Sequence, residues 1–184
     1  NRLGMIVDCS HVHPAATHQV LDVSTAPIAL THSNAFALCD HPRNAPDDIL
    51  ARIPGNGGIV MATFVPSFLN QANWDWARPL SNRYGSASDE FTDESKLDAA
   101  RRRQEHLRSR GPAPQATLDH LVEHIEYLRD RCGIDHIGIR SDFYGGVTPA
   151  GLHDVTCYPH VLAALIRRGW SDEAIGKIAG GNFI

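Results

Sequence analysis

Four short apolar runs, separated by spans of helical character and each turning polar near its carboxyl end, limit the folds open to this chain. Leu3 to His11 begins apolar at Met5-Ile6-Val7 and becomes polar at Asp8, Ser10 and His11, as a buried parallel strand does on leaving a sheet. Pro27 to His32 repeats the design, Gly58 to Phe64 supplies a third strand, and His136 to Asp142 a fourth. Helices are expected between them. Pro14 suits the first turn of one that carries Ala15, Ala16, Val20, Leu21 and Val23, and Pro46-Asp47-Asp48 opens another with acids in its first turn. Thr117 to Arg131 places Leu118, Leu121, Val122, Ile125 and Leu128 on one stripe. Two closing helices follow, around Val161 to Arg168 and Asp172 to Ala179, with Ser171 as the N-cap of the second.

One stretch breaks the rhythm. Residues 66–116 hold Pro66, Pro79, Pro112 and Pro114 with the charged runs Asp93-Glu94-Ser95-Lys96 and Arg101-Arg102-Arg103, so they read as an irregular insertion with an exposed helix near Glu94 to Arg108. Trp74 and Trp76 either anchor this excursion or cover the mouth of a site. Four strand and helix units amount to about half of a closed (β/α)8 barrel, which usually takes ~250 residues. An open doubly wound sheet is the alternative, but no Gly-rich phosphate loop follows any strand.

Composition removes several function classes. The 184 residues are 42% apolar and 21% charged with a net charge of -4, an ordinary soluble globular make-up without the basic footprint of a nucleic-acid binder. No run of 18 apolar residues encodes a transmembrane segment, and the start at Asn1, with neither Met nor a leader pattern, predicts that the protein's own N-terminus lies upstream. Cys9, Cys39, Cys132 and Cys157 form no C-x-x-C pair and are expected to be buried thiols. The compartment, cytoplasmic or exported, is left open.

The residues that end the strands carry the chemistry. Barrel enzymes place catalytic groups at carboxyl strand ends, and His11, His32 and Asp142 all fall there. A single histidine in such a place is more often structural, whereas three ligand-type residues ending three strands point to a metal ion of the Zn²⁺ kind. A competing pattern, His120-Leu121-Val122-Glu123-His124, fits the H-x-x-E-H of inverted zinc peptidases. Its histidines fall on the flank of the helical stripe, away from a barrel's mouth, so they read as solvated or helix-packing groups. His13, His18, His41, His106, His153 and His160 acquire no role from spacing, and His136 begins a strand instead of ending one.

Several linked blocks then resemble the membrane (renal) dipeptidase family: Gly4-Met5-Ile6-Val7-Asp8-Cys9-Ser10-His11-Val12, Ala26 to Ser33, Cys39 to Asp47, Gly138 to Phe143 and Gly151-Leu152-His153-Asp154-Val155. The separation of the two histidines, 32 − 11 = 21 residues, matches as well. The resemblance implies the C-terminal part, residues 1–184, of a single (β/α)8 domain. It also implies a binuclear zinc dipeptidase that often tolerates a D-residue at the C-terminal position of its substrate. By the same resemblance His11 and His32 would bind one zinc, and Asp142 would stand beside the other and handle the proton given to the leaving amine. Arg43 would pair with the dipeptide's free carboxylate, a task suited to its planar fork of donors.

The family's His-x-Asp motif, its bridging glutamate and a further substrate histidine belong to an N-terminal half that this sequence does not contain, and relatives continue beyond Ile184. Tyr144 replaces an acid and Phe68 a carboxylate-binding tyrosine of some relatives. The chain alone is therefore expected to be inactive, and its open sheet edges predict association, with the missing N-terminal half or as a homodimer. The contrasting function class is a nonenzymatic half-barrel that binds a partner or is a structural remnant.

Overall fold

An apolar run becomes a strand only where a neighbour supplies the hydrogen-bonding ladder. The computed structural model describes residues 2–84, 93–143 and 146–183, and in it the four runs form β1 (Val7–Asp8), β2 (Ile28–Leu30), β3 (Ile59–Thr63) and β4 (Ile137–Arg140). All pair in parallel in the order β1-β2-β3-β4. Spatial order equals chain order, so every crossover steps one strand in the same direction, as along an arc of a (β/α) barrel; a doubly wound sheet would reverse.

All four strands are shorter than the runs that locate them. β2 offers partners only to Val7 and Asp8, and Leu3, Met5 and Ile6 are exposed, with no pairing partner among the described residues. His136, expected to open the fourth strand, lies instead in a 3₁₀ turn, Ile134–His136, where Nδ1 meets the Gly58 carbonyl at 2.9 Å.

The helices follow local chemistry. α1 (Pro14–Val23) starts with Pro14 at its first turn and uses the His13 ring as cap, Nδ1 accepting from the Ala15 N–H at 3.2 Å. The helix expected after Pro46 is split into α2 (Asp47–Leu50) and α3 (Ile53–Asn56), which Gly57 ends in the left-handed conformation. Gly58 then passes so close to β2 that a Cβ would lie 2.6 Å from the Ile28 carbonyl oxygen, which reserves the position for glycine. The span 66–116, expected to be irregular, holds three helices among its described residues: α4 (Pro66–Leu69), α5 (Gln71–Tyr84) and α6 (Asp93–Arg110). Pro66 is tolerated at a helix start, and Asn70 caps α5 by accepting from the N–H groups of Ala72 and Asn73. Trp74 is buried and anchors α5 against the His41 ring, centroids 4.1 Å apart. α7 (Leu118–Cys132), α8 (Tyr158–Arg167) and α9 (Asp172–Gly176) complete the set, the last capped by the Ser171 hydroxyl as expected. No helix among the described residues is long and apolar enough to cross a membrane.

Every residue of β3 is buried. Alternation along the strands sends Ile28, Leu30, Val60, Ala62 and Ile137 into the main core beneath α7 and α8, while Ala29, Ile59 and Met61 form a smaller cluster on the opposite face. Asp8, in register with Ala29, and Arg140, in register with Thr63, belong to that second face. All four cysteines are buried and free.

The H-x-x-E-H motif separates in α7. His120 serves the helix start, its Nδ1 close to both the N–H and the hydroxyl of Thr117. His124 takes the helix-packing alternative, 1% exposed, with Nδ1 accepting from the Ala35 N–H at 3.1 Å and Nε2 donating to the Leu69 carbonyl at 3.2 Å. It ties together α7, the loop after β2 and the end of α4. Burial pushes its pKa down to about 4, outweighing the contrary pull of the Leu69 carbonyl.

A buried neutral histidine implies a pH-dependent fold. Because the folded pKa lies below the ordinary 6.5, unfolding takes up a proton, so the stability that His124 contributes is intact above pH 6.5 and declines as pH falls towards 4, by about 3 kcal/mol at the lower end. Urea unfolding of the His124→Ala variant is expected to show a loss of about 3 kcal/mol at neutral pH, from two orphaned backbone groups, and a shallower decline between pH 6.5 and 4 than the parent. Equal pH slopes in the two proteins would rule out this role.

Candidate metal centre

The carboxyl ends of β1, β2 and β4 gather the polar residues of the second sheet face. Beyond β1 the chain turns through Cys9 and Ser10 to His11, and beyond β2 it runs through Thr31 to His32. The two rings meet there, with Nε2 atoms 2.9 Å apart and centroids 4.9 Å apart at 58°. Such a pair either shares one N–H between the nitrogens or directs two lone pairs at a cation. Two imidazole nitrogens on one tetrahedral zinc are roughly 3.3 Å apart at Zn–N lengths of about 2.0–2.1 Å, so parting the rings by roughly 0.4 Å would admit the ion. The donor set therefore fits a borderline metal of the zinc type.

Asp8 organises this corner. Its Oδ1 accepts from the Ser10 N–H (3.0 Å), the Ser10 hydroxyl (2.7 Å) and the Thr31 N–H (3.3 Å), and its Oδ2 accepts from the Thr31 hydroxyl at 2.6 Å. Burial alone would raise the Asp8 pKa, but these donors together bring it down to about 2, so the carboxylate is a fixed negative charge at neutral pH. Burial and the Arg43 guanidinium push the His32 pKa down, while Asp142 pulls it the other way. His32 is consequently held neutral, the state in which an imidazole binds metal.

Arg43 comes from the loop between β2 and α2. Buried asparagines fix that loop: Asn34 spans the Thr63 backbone, Oδ1 accepting from its N–H at 2.9 Å and Nδ2 donating to its carbonyl at 3.1 Å, and so prolongs the pairing of β2 with β3. Asn44 donates to the carbonyls of Cys39 and Phe68 and accepts from the Asn34 N–H. The His41 ring, tilted against Phe68 and edge-on to Trp74, accepts from the Arg43 N–H, and burial holds its pKa down at about 4. Arg43 thus reaches back to β1, its Nε donating to the Ser10 carbonyl at 2.9 Å with the guanidinium 5.5 Å from the Phe68 ring centre. Nη2 is buried with no hydrogen-bond partner among the described residues. A buried, unpaired guanidinium nitrogen is costly unless an anion meets it.

Asp142 follows β4 with φ at 54°, the only non-glycine positive φ among the described residues. Its charge acts on both His32 and Arg43, but its carboxylate does not close a three-ligand group with the histidines. The one group of three ligand-type side chains with atoms within 4.8 Å of one another, among the described residues, is His153, Asp154 and Cys157 ahead of α8. There His153 Nδ1 is 3.8 Å from the Cys157 sulfur, and Asp154 caps Thr156. Spacing in the sequence assigns His153 no role. Tyr144 lies outside the described residues, and Phe68 supports Arg43 from below. Asp8, Ser10, Thr31, Asn34 and Asn44 are site residues that the sequence does not single out; only register and loop geometry reveal them.

Known proteins resemble this chain in sequence and in fold. Residues 1–184 match the family model described as Membrane dipeptidase (Peptidase family M19). The dipeptidase tcpJ of Claviceps purpurea is 37% identical over 185 residues, covering 100% of this chain and 34% of that protein. The probable dipeptidase PvdM of Pseudomonas aeruginosa superposes with a TM-score of 0.81 at 32% identity, over 99% of this chain and 49% of that one. A metallopeptidase of Rhodobacter sphaeroides, solved with a phosphinate mimic of the dipeptide L-Ala-D-Ala, gives a TM-score of 0.73 at 28% identity, over 99% of this chain and 41% of that one. The chain spans about a third of the length of the curated relatives it matches.

The backbone at Asp142 yields a separable test. Asn tolerates the left-handed region, whereas a β-branched residue does not. Asp142→Asn is expected to unfold in denaturant close to the parent, and Asp142→Val about 1–2 kcal/mol earlier. Equal stability of the two variants would show that φ at this position is not fixed by the fold.

Proposed function

The chain belongs to the membrane dipeptidase family, and on that premise we propose that the whole protein hydrolyses the peptide bond of dipeptides with zinc held at the carboxyl ends of these strands. The observation that carries this reading is the meeting of His11 and His32, Nε2 to Nε2 at 2.9 Å, on one rim with Arg43. In this reading His11 and His32 hold one ion and Asp142 stands beside a second, which agrees with its position outside the histidine pair. Bound zinc would supply Lewis acidity towards the carbonyl oxygen and acidify water.

The chain's own residues do the rest. Arg43 takes the substrate's free carboxylate on Nη2, the nitrogen without a partner among the described residues, while its Nε stays on the Ser10 carbonyl and so fixes the fork. Asp142 accepts a proton from the attacking water and returns it to the amine nitrogen as the C–N bond breaks, leaving a carboxylate and a free amine. Asp8 keeps His32 in place through Thr31 and Ser10. The 184 residues by themselves contribute one pair of histidine ligands, and we propose that they are inactive without the remainder of the barrel, since an ion so held lacks its other ligands.

The test uses the full-length protein. Arg43→Ala is expected to lower kcat/KM for free dipeptides by an amount on the order of 2–5 kcal/mol, with a far smaller loss for the corresponding C-terminal amides. Equal losses for acids and amides would exclude carboxylate recognition by Arg43.

A further inference from the structure

We propose that Asp8 and Thr31 form a relay that fixes the tautomer of His32, placing its hydrogen on Nδ1 and leaving Nε2 as a bare lone pair facing His11. Hydrogens can be counted at each contact. A carboxylate only accepts, and Asp8 Oδ2 lies 2.6 Å from Thr31 Oγ1, so the single hydroxyl hydrogen of Thr31 is committed to Asp8. Thr31 Oγ1 is left with two acceptor sites, and Ser10 Oγ, 3.3 Å away, takes neither because its own hydrogen goes to Asp8 Oδ1 at 2.7 Å. Arg140 Nη1, a donor in every state, occupies one at 2.8 Å. His32 Nδ1 faces the other at 2.9 Å and must itself carry a hydrogen, because two lone pairs at that distance repel. The reverse assignment, Thr31 donating to His32, would leave Asp8 Oδ2 and Thr31 Oγ1 in contact at 2.6 Å with no hydrogen between them.

The backbone of His32 is tied to the same carboxylate by a parallel route. Ser10 Oγ donates to Asp8 Oδ1 at 2.7 Å and accepts from the His32 N–H at 3.1 Å. One carboxylate on β1 therefore sets both the position and the ring orientation of a residue that follows β2, through one hydroxyl each. With His32 Nε2 bare, the 2.9 Å contact to His11 Nε2 requires the hydrogen there to belong to His11. The two histidines are thus unequal: His32 is preset for a cation, and His11 must give up or relocate one proton to join it. Asp8 and Thr31 are positioning residues, which touch neither substrate nor ion. The consequence for metal binding rests on the reading of His11 and His32 as ligands; the tautomer does not.

The experiment uses full-length, metal-free protein labelled with ¹⁵N-histidine, and two-bond ¹H–¹⁵N correlation to read which ring nitrogen of His32 is protonated, followed by calorimetric titration with Zn²⁺ alone. The parent is expected to show His32 protonated at Nδ1. Thr31→Val, which keeps the shape and removes the hydroxyl, is expected to lose that preference and bind zinc roughly 10–100-fold more weakly; Thr31→Ser is expected to restore both. A parent in the Nε2–H tautomer, or a Thr31→Val protein that keeps the Nδ1–H tautomer, would overturn the relay. Zinc affinity that stays unchanged when the tautomer shifts would support the relay and defeat the metal reading, as would a parent with the Nδ1–H tautomer that takes up no zinc.

Discussion

A parallel ladder satisfies backbone groups only while its strands run side by side, and here the strands are two to five residues long before they part. The backbone beyond each carboxyl end must find hydrogen-bond partners elsewhere, since a buried unpaired amide costs about as much as a lost hydrogen bond. Side chains supply them. Asp8 receives the N–H groups of Ser10 and Thr31, Asn34 takes over the pairing of β2 with Thr63, and Asn44 and His124 hold the loop that leaves β2. The polar residues at this rim complete the sheet first. Their close packing is also the reason that two imidazoles and a guanidinium reach one place without long, floppy approaches.

The same constraint sets the electrostatics. Fixed donors hold Asp8 ionised, while desolvation keeps His32 and His41 neutral and leaves Arg43 with an unmet nitrogen. On the proposed function, a rim with a committed anion behind its histidines and an unsatisfied cation beside them would suit a metal ion and a carboxylate-bearing ligand together. Either alone would leave one side of that balance open.

Much of the framework is legible in the sequence. Apolar runs that end in polar residues locate all four strands, and Pro14 and Ser171 mark two helix starts correctly, because those signals are local. Apolarity alone makes the first strand too long, since pairing depends on the length of β2 and not on the character of Leu3 to Ile6. Proline taken as a breaker makes residues 66–116 look irregular, although Pro66 opens a helix and Pro79 lies inside one. The stripe of α7 places His124 on a flank, but neighbours cover that helix beyond its stripe. His11, His32 and Asp142 stand out by residue type and strand-end position. Asp8, Thr31 and Asn34 do not, because a short polar residue after a strand looks like surface until the register shows what it faces.

Crystals of the full-length protein grown with zinc, with data collected on both sides of the zinc absorption edge, address the two histidines directly. The expected result is an anomalous peak at the strand ends, bonded by Nε2 of both His11 and His32 at about 2.0–2.1 Å, with His32 Nδ1 still on the Thr31 hydroxyl. A zinc peak only at His153, Asp154 and Cys157, or none, with the His11–His32 hydrogen bond unbroken, would contradict the assignment of this rim as the metal centre.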